Sequence, residues 1–392
     1  MKDFHIAPLP ELVFGSGALH ALPKLLERRG ITRIIAVTGG ASLDESGAWE
    51  KLSASMERSG IAWERCRAVS EPSPSLVDSI AEEARAFSAQ GICGIGGGSV
   101  IDAAKAAAAM AEEQGSVREY LEGVGTRQPS GRRLFLSALP TTAGTGSEAT
   151  KNAVISETGE NGFKKSLRHD RYVPDAAVLD PLLALGCPPG VTAASGLDAV
   201  TQLLESYISV NANAFTDTLA LEGLAKAGRS FLQSVRSGRD EMARGDMAYA
   251  AYLSGITLAN AGLGVVHGAA GVLGGLSDIP HGTVCGTLLY ESTRMIIKKL
   301  EGGGERARYT RKKLARAGYA LTGTEEAFDY QRGMDLLLQQ LAQWQDLLEY
   351  GKLSSYGISR ESLGEISRKV DSKQSPVSFD PSEIEQMLAS RL

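Results

Sequence analysis

An α/β domain built on a parallel sheet, followed by an all-helical domain, is the fold that this 392-residue sequence predicts. Three observations carry the expectation: apolar runs and helical spacings alternate through the first half, the turn CPPG at 187–190 interrupts the pattern, and helical spacing alone continues after it. Alternating short apolar runs and amphipathic segments mark a parallel sheet with helices on its faces. The boundary is therefore placed at 188/189, giving domains over 1–188 and 189–392.

The elements follow in order. ELVFGSG reads as a short strand closed by glycine, and ALHALPKLLERRG as a helix stopping at Gly30. TRIIAVTGG is a buried strand and GAWEKLSASMERSG a helix; IAWERCRAV, SPSLVDSIAEEARAFSA and GICGIGGGSV continue the alternation. RRLFLSALP and AAVLDPLLAL add two more strands. Beyond Thr192 the helical segments are TAASGLDAVTQLLESYI, FTDTLALEGLAKAGRSFLQSV, DEMARGDMAYAAYLSGITLANAG and DYQRGMDLLLQQLAQWQDLLEYG. Asp380 and Pro381 are placed as N-cap and first residue of a last helix. EGGGERARYTRKK (301–313) reads as a solvated loop or helix end.

Composition narrows the function. With 43% hydrophobic and 22% charged residues and a net charge of −5, the chain has material for a large core and no basic excess for nucleic acid or an anionic membrane. The four cysteines, Cys66, Cys93, Cys187 and Cys285, form no CxxC pair. That argues against a disulfide framework or a cysteine-based zinc site and for a reducing, cytoplasmic setting. MKDFHIAPLPELVF lacks the basic and apolar regions of a signal peptide. The apolar stretch around 249–276 is broken by glycines and holds His267, as a buried helix would.

Two loops look built for a ligand. GIGGGSVIDAAKA (94–106) sets Gly96, Gly97, Gly98 and Ser99 between a strand and a helix, where backbone can approach closely and the helix N-terminus favours phosphate. It is neither a GxGxxG nor a P-loop, and a ligand-free tight turn is the plain alternative. PTTAGTGSEAT (140–150) carries five hydroxyl side chains and two glycines in eleven residues. It suits ribose and phosphate oxygens, or caps itself. Two such loops at strand ends of one sheet favour a dinucleotide.

In LDAVTQLLES, Asp198 and Gln202 stand four apart on one helix face. GVVHGAAG and DIPHGTV supply His267 and His281. An Asp and two His suggest a divalent metal; Gln is a weak fourth ligand. Taken alone, His267 reads as a core histidine and His281 as a turn residue.

GGGSVIDAAKA, LPTTAGTGSEAT, VPDAAVLDP, GLDAVTQLLESYIS, VHGAAGVLGG and IPHGTVCGTLL occur in order and together resemble the iron-containing (group III) alcohol dehydrogenases, from about residue 8 to the C-terminus. The resemblance implies a Rossmann-like N-terminal domain, a helical C-terminal domain and an active cleft between them. It implies hydride exchange between NAD(P) and a small alcohol/carbonyl pair polarised by iron or zinc, and a homo-oligomer, by analogy a dimer. It places Gly96, Gly97, Gly98, Ser99 and Asp102 at the pyrophosphate, Thr141, Thr142 and Thr145 along the nicotinamide half, and Lys164 against the cofactor, although Lys164 also reads as a surface lysine. Gly39 stands where NAD-preferring relatives carry an acid; Gly39, Gly40 and Ser42 thus leave room for a 2′-phosphate, so NADP is expected over NAD, while a plain turn there would admit either.

The family's metal ligands are one Asp and three His. Asp198, His267 and His281 match three, and Gln202 takes the place of the other His. Gly271 replaces a further active-site His that many relatives carry. Two ligand outcomes follow: Gln202 binds through its amide oxygen, or the site binds metal loosely or not at all, just as the maleylacetate reductases are metal-independent, with His267 or His281 supporting the oxyanion. A catalytically silent nucleotide-binding protein is the third alternative.

Overall fold

The structure, a computed structural model, describes residues 3–157, 162–347 and 352–392. Six strands form one parallel sheet: β1 (Glu11–Phe14), β2 (Arg33–Thr38), β3 (Ala62–Arg67), β4 (Gly91–Gly96), β5 (Phe135–Pro140) and, after a hairpin of β6 (Asn152–Glu157) and β7 (Phe163–Arg168), β8 (Ala176–Leu179). The spatial order is β1-β8-β5-β4-β2-β3. The chain steps outward from β2 to β3 and then returns to the other side of β2 with β4. That reversal opens a crevice at the carboxyl ends of β2 and β4, the usual ligand position of an open α/β sheet.

Helices α1 (Leu22–Glu27), α2 (Ser42–Glu45), α3 (Ala48–Arg58), α4 (Pro74–Ala86) and α5 (Gly98–Met110) belong to this unit. The sheet is buried on both faces because β2 alternates: Ile34 packs with Leu22, Leu26, Leu52 and Met56, whereas Ile35 and Val37 pack with Ile80, Ala103, Ala104 and Ala107. The alanine-rich α5 lets the strand approach closely; a Cβ on Gly94 would stand 2.8 Å from that of Ala104.

The second unit is helical, with α6 (Pro189–Ile208), α7 (Ala214–Arg236), α8 (Glu241–Ala261), α9 (Val265–Leu276), α10 (His281–Lys299), α11 (Glu305–Thr322), α12 (Tyr330–Leu347), α13 (Leu363–Lys369) and α14 (Pro381–Ala389). The compact units are 7–188 with 238–248, and the remainder up to Ile6 with 189–237 and 249–392. Two consecutive ranges could not express the exchange of 238–248. α6 is buried on every side from Gly196 to Ile208. Asn213 caps α7 with a reciprocal Thr216 bond, and Asp380 caps α14 in the same way with Glu383, with Pro381 in the first turn. Among the described residues no single helix is long and apolar enough to cross a membrane; α8 and α9 pass only as a pair bent by 100°.

The segment 301–313 is a loop at its glycines and then a helix end, since α11 begins at Glu305, but it is not solvated throughout, because Lys313 is buried beside Asp217. The β6–β7 hairpin was not anticipated, and Lys164 lies on it. Residues 348–351 of the expected helix over 329–351 lie outside the described residues.

Helix crossings here depend on missing side chains. A Cβ on Gly228 of α7 would stand 1.8 Å from the carbonyl oxygen of Leu321 in α11, a backbone atom that cannot swing away. Gly228→Ala is therefore expected to lower stability by about 1–3 kcal/mol through overpacking. Urea unfolding of the variant beside the parent measures it.

Candidate active site

The glycine loops meet at the sheet's crevice. β4 ends at Gly96, and Gly97, in extended backbone, caps α5 without a side chain. Packing explains two of the three glycines: a Cβ on Gly96 would stand 2.5 Å from Val100, and one on Gly98 would stand 2.6 Å from Thr145. Gly97 meets only ordinary contact, 3.5 Å from the Thr142 hydroxyl. Gly146 lies in the left-handed region at φ 61°, which turns the threonine loop back toward α5. Thr141 donates its N–H to Gly96 O at 3.0 Å, and Thr145 Oγ1 accepts from Ser147 N at 3.2 Å.

The loop is held by a buried lysine. Lys105 is fully buried, and its ammonium meets Ser147 O at 2.8 Å, Ser147 Oγ at 2.9 Å, Thr150 Oγ1 at 3.0 Å and Asn152 O at 2.7 Å. Asp102 accepts from the Ser147 hydroxyl and from Val154 N, so its carboxylate braces the loop and the hairpin. Burial brings Lys105 down to about 8 despite the nearby Asp102 and Glu148 carboxylates, and pushes the buried Glu148 up to about 7.

Other expected contacts are engaged by neighbours. Ser99 donates to Glu71 at 3.2 Å and Lys164 to the same carboxylate at 3.0 Å. A Cβ on Gly39 would meet Val100 at an ordinary 3.5 Å, and Gly40 is open, with nothing within 4 Å. Arg67 donates to both of their carbonyls and, with Arg65, to Asp44. Ser42 opens α2 beside them. Neither Arg67 nor Glu71 stood out in sequence; Arg67 is the last residue of β3 and Glu71 lies in the loop after it, which is the signal available for them.

In the helical unit, α6, α9 and α10 bring Asp198, His267 and His281 together. His267 Nε2 lies 3.3 Å and His281 Nε2 3.7 Å from Asp198 Oδ1. Gly282 makes this possible, because a Cβ there would stand 2.2 Å from Ala194 O and lift the start of α10 off α6. Glu205, one turn beyond Gln202 on α6, is buried. It accepts from Gly264 N and Val266 N at 2.8 Å and sits 2.7 Å from His267 Nδ1. A carboxylate on Nδ1 leaves Nε2 free to face the cluster, the usual outer partner of a metal-bound histidine.

Two further residues stand near the three, and only one of them joins the cluster. Gln202 points its amide at α8, where its oxygen accepts from the buried Ser254 hydroxyl at 2.6 Å. Cys285, one turn after His281 on α10, brings its sulfur 3.7 Å from His267 Nε2. Donor atoms of Asp198, His267, His281 and Cys285 all lie within 4.8 Å of one another. The scattered cysteines spoke against a multi-cysteine site but not against a single thiol; the H-x-x-x-C spacing was the overlooked signal. Burial works against charge on Asp198, yet His281 and His267 hold its pKa low. Burial likewise opposes charge on His267, which Cys285, Asp198 and Glu205 outweigh, raising it. Two buried carboxylates around one imidazole fit a cation, and the oxygen, nitrogen and sulfur donors fit a divalent transition metal.

Residues 10–181 match the model of the iron-containing alcohol dehydrogenase family, and residues 192–391 match the C-terminal model of the same family. The chain belongs to that family. It is an alcohol dehydrogenase-type oxidoreductase. It is 39% identical over 280 residues to the long-chain-alcohol dehydrogenase 1 of Geobacillus thermodenitrificans, covering 70% of this chain and 69% of that one. It is 35% identical over 293 residues to the alcohol dehydrogenase 4 of Saccharomyces cerevisiae, covering 74% of each. A crystal structure of 1,3-propanediol oxidoreductase superposes with a TM-score of 0.88 at 26% identity, over 100% of both chains.

Glu148 gives the sheet-bearing unit a pH signature. Its folded pKa of about 7 stands above the ordinary 4.5, so the native state holds a proton that the unfolded state has released. The associated stability is present below pH 4.5 and lost as pH rises through about 7. Glu148→Gln is expected to make the urea midpoint fall less between pH 5 and pH 7.5 than it does in the parent.

Proposed function

We propose that the protein is a divalent-metal-dependent alcohol dehydrogenase that interconverts a small alcohol and its aldehyde or ketone, with NADP preferred over NAD. The observation that carries the reading is the cluster of buried Asp198 and His267 with the partly exposed His281, and with Glu205 behind His267. When bound, the metal supplies Lewis-acid polarisation of the carbonyl oxygen, and the nicotinamide supplies or accepts the hydride. The chain's own part is positional. Glu205 holds His267 in one tautomer, and Asp198 provides the negative charge that retains a cation. His281, 37% exposed in its side chain while Asp198 is 3% exposed, marks the side on which a substrate oxygen approaches. The N-terminus of α5, Gly97 and the threonine loop seat the pyrophosphate and nicotinamide, with Ser99 and Lys164 exchanging Glu71 for cofactor oxygens.

The NADP preference rests on open space and charge. Gly39 and Gly40 put no carboxylate beside the ribose, and the Arg67 guanidinium lies against their carbonyls, ready for a 2′-phosphate. The exposed edge strand β1, with Leu12 and Phe14 outward, supports a homodimer, and four free thiols suit the cytoplasm. Gln202's bond to Ser254 favours, as second reading, a metal-free keto reductase whose oxyanion is held by His267 and His281.

Metal analysis and steady-state kinetics test both. The purified protein is expected to hold about one divalent ion per chain and to reduce aldehydes faster with NADPH than with NADH. Asp198→Ala is expected to lose the ion and at least about a hundredfold in kcat/KM. Arg67→Ala is expected to raise KM for NADPH about tenfold while leaving that for NADH nearly unchanged. Metal-free protein with full activity would replace the first reading by the second.

A further inference from the structure

We propose that the thiol of Cys285, rather than the amide of Gln202, supplies the fourth protein ligand of the metal centre, making it an Asp–His–His–Cys site. The inference rests on the metal-dependent reading above and specifies its coordination. Three observations meet in it.

The first is separation. Four donors around a tetrahedral zinc-sized ion stand about 3.3 Å apart for oxygen and nitrogen pairs and about 3.6 Å apart for nitrogen and sulfur. Asp198 Oδ1 and His267 Nε2 are 3.3 Å apart, Asp198 Oδ1 and His281 Nε2 3.7 Å, and His267 Nε2 and Cys285 Sγ 3.7 Å. The spacing fits ligands around a common centre. The His267–Asp198 contact is long for a histidine–carboxylate hydrogen bond, against the 2.7 Å between His267 and Glu205 within the same cluster.

The second is the direction of Gln202. Its amide oxygen accepts from Ser254 on α8, and Ser254 is fully buried, so the amide has its partner away from the three ligands. The residue in the expected fourth position is thus engaged elsewhere.

The third is the placement of Cys285. His281 and Cys285 are separated by one turn of α10 and share a face, and the thiol is fully buried among Asp198 and His267. On coordination the metal–sulfur bond forms as the thiol proton leaves to solvent. Asp198 and the Cys285 thiolate together then balance a divalent ion. A thiolate also discriminates: it favours zinc, iron or cobalt over magnesium or calcium, which prefer oxygen.

Cobalt(II)-reconstituted full-length protein tests the assignment without reference to activity. A near-ultraviolet sulfur-to-cobalt charge-transfer band is expected. Cys285→Ser should abolish the band and weaken cobalt binding at least about tenfold. Gln202→Ala should keep the band. X-ray absorption of the zinc-loaded parent is expected to show one sulfur at about 2.3 Å and needs no variant, so it decides the matter if Cys285→Ser fails to fold. Tight cobalt binding with no charge-transfer band, and a spectrum altered by Gln202→Ala, would overturn the cysteine assignment while keeping the metal-dependent enzyme. Failure of the parent to retain cobalt or zinc after dialysis would overturn both.

Discussion

The carboxylate of Glu205 is buried within the helical unit and ties α6 to the start of α9 and to His267. Its two oxygens take the free N–H groups at the start of α9 and sit on Nδ1 of His267. A buried carboxylate with this many donors is tolerable, whereas an unpaired one would cost several kcal/mol. One residue therefore fixes where α9 begins, which face His267 presents, and which of its nitrogens is available. Gly264 and the segment around Ser375 complete the packing: a Cβ on Gly264 would stand 2.7 Å from Glu205 and 2.8 Å from Ser375. Asp198 and His281 lie around the imidazole that Glu205 fixes in place.

The sheet-bearing unit solves a related problem with the opposite charge. A threonine- and glycine-rich loop has no core of its own and would otherwise sample many conformations. Lys105, reaching from the middle of α5, gathers Ser147, Thr150 and Asn152 around one ammonium, and Asp102 holds the other side of Ser147. The loop is thus tied to the helix whose N-terminus faces the same crevice. In both units a buried charge with several hydrogen-bond partners sets a flexible segment in place.

Much of this was legible in sequence because it depends on short-range pattern. The β–α alternation, the break at 187–190, the capping of α14 by Asp380 and the grouping of Asp198, His267 and His281 rest on periodicity and on motifs in fixed order. The β6–β7 hairpin was not legible: NAVISE and FKKSLRH carry no strong alternation, and their pairing depends on Asp102 and Lys105 reaching the hairpin's backbone from α5. The resemblance placed Asp102 and Lys164 at the cofactor; spacing did not reveal the protein partners their side chains also have, Ser147 and Glu71. Spacing gives the face of a helix but not what lies opposite, so it could not tell that Gln202 meets Ser254 or that Cys285 meets His267.

The two departures from the family pattern acquire a common logic in the helical unit. Gly271 is exposed, with nothing within 4 Å of a Cβ built there, so no bulky polar group lies at that point of α9. Gln202 is turned toward α8. The cluster thereby loses two imidazoles that relatives use, and its remaining solvent-facing member is His281 at the first turn of α10. With the proposed Cys285 thiolate in place of an imidazole, the site would hold its ion by charge more than by imidazole basicity. Its Lewis acidity would then be lower than with three histidines, because each anionic ligand donates more density to the metal. The close approach of α10 to α6 at Gly282, which admits no side chain, is what keeps His281 beside Asp198.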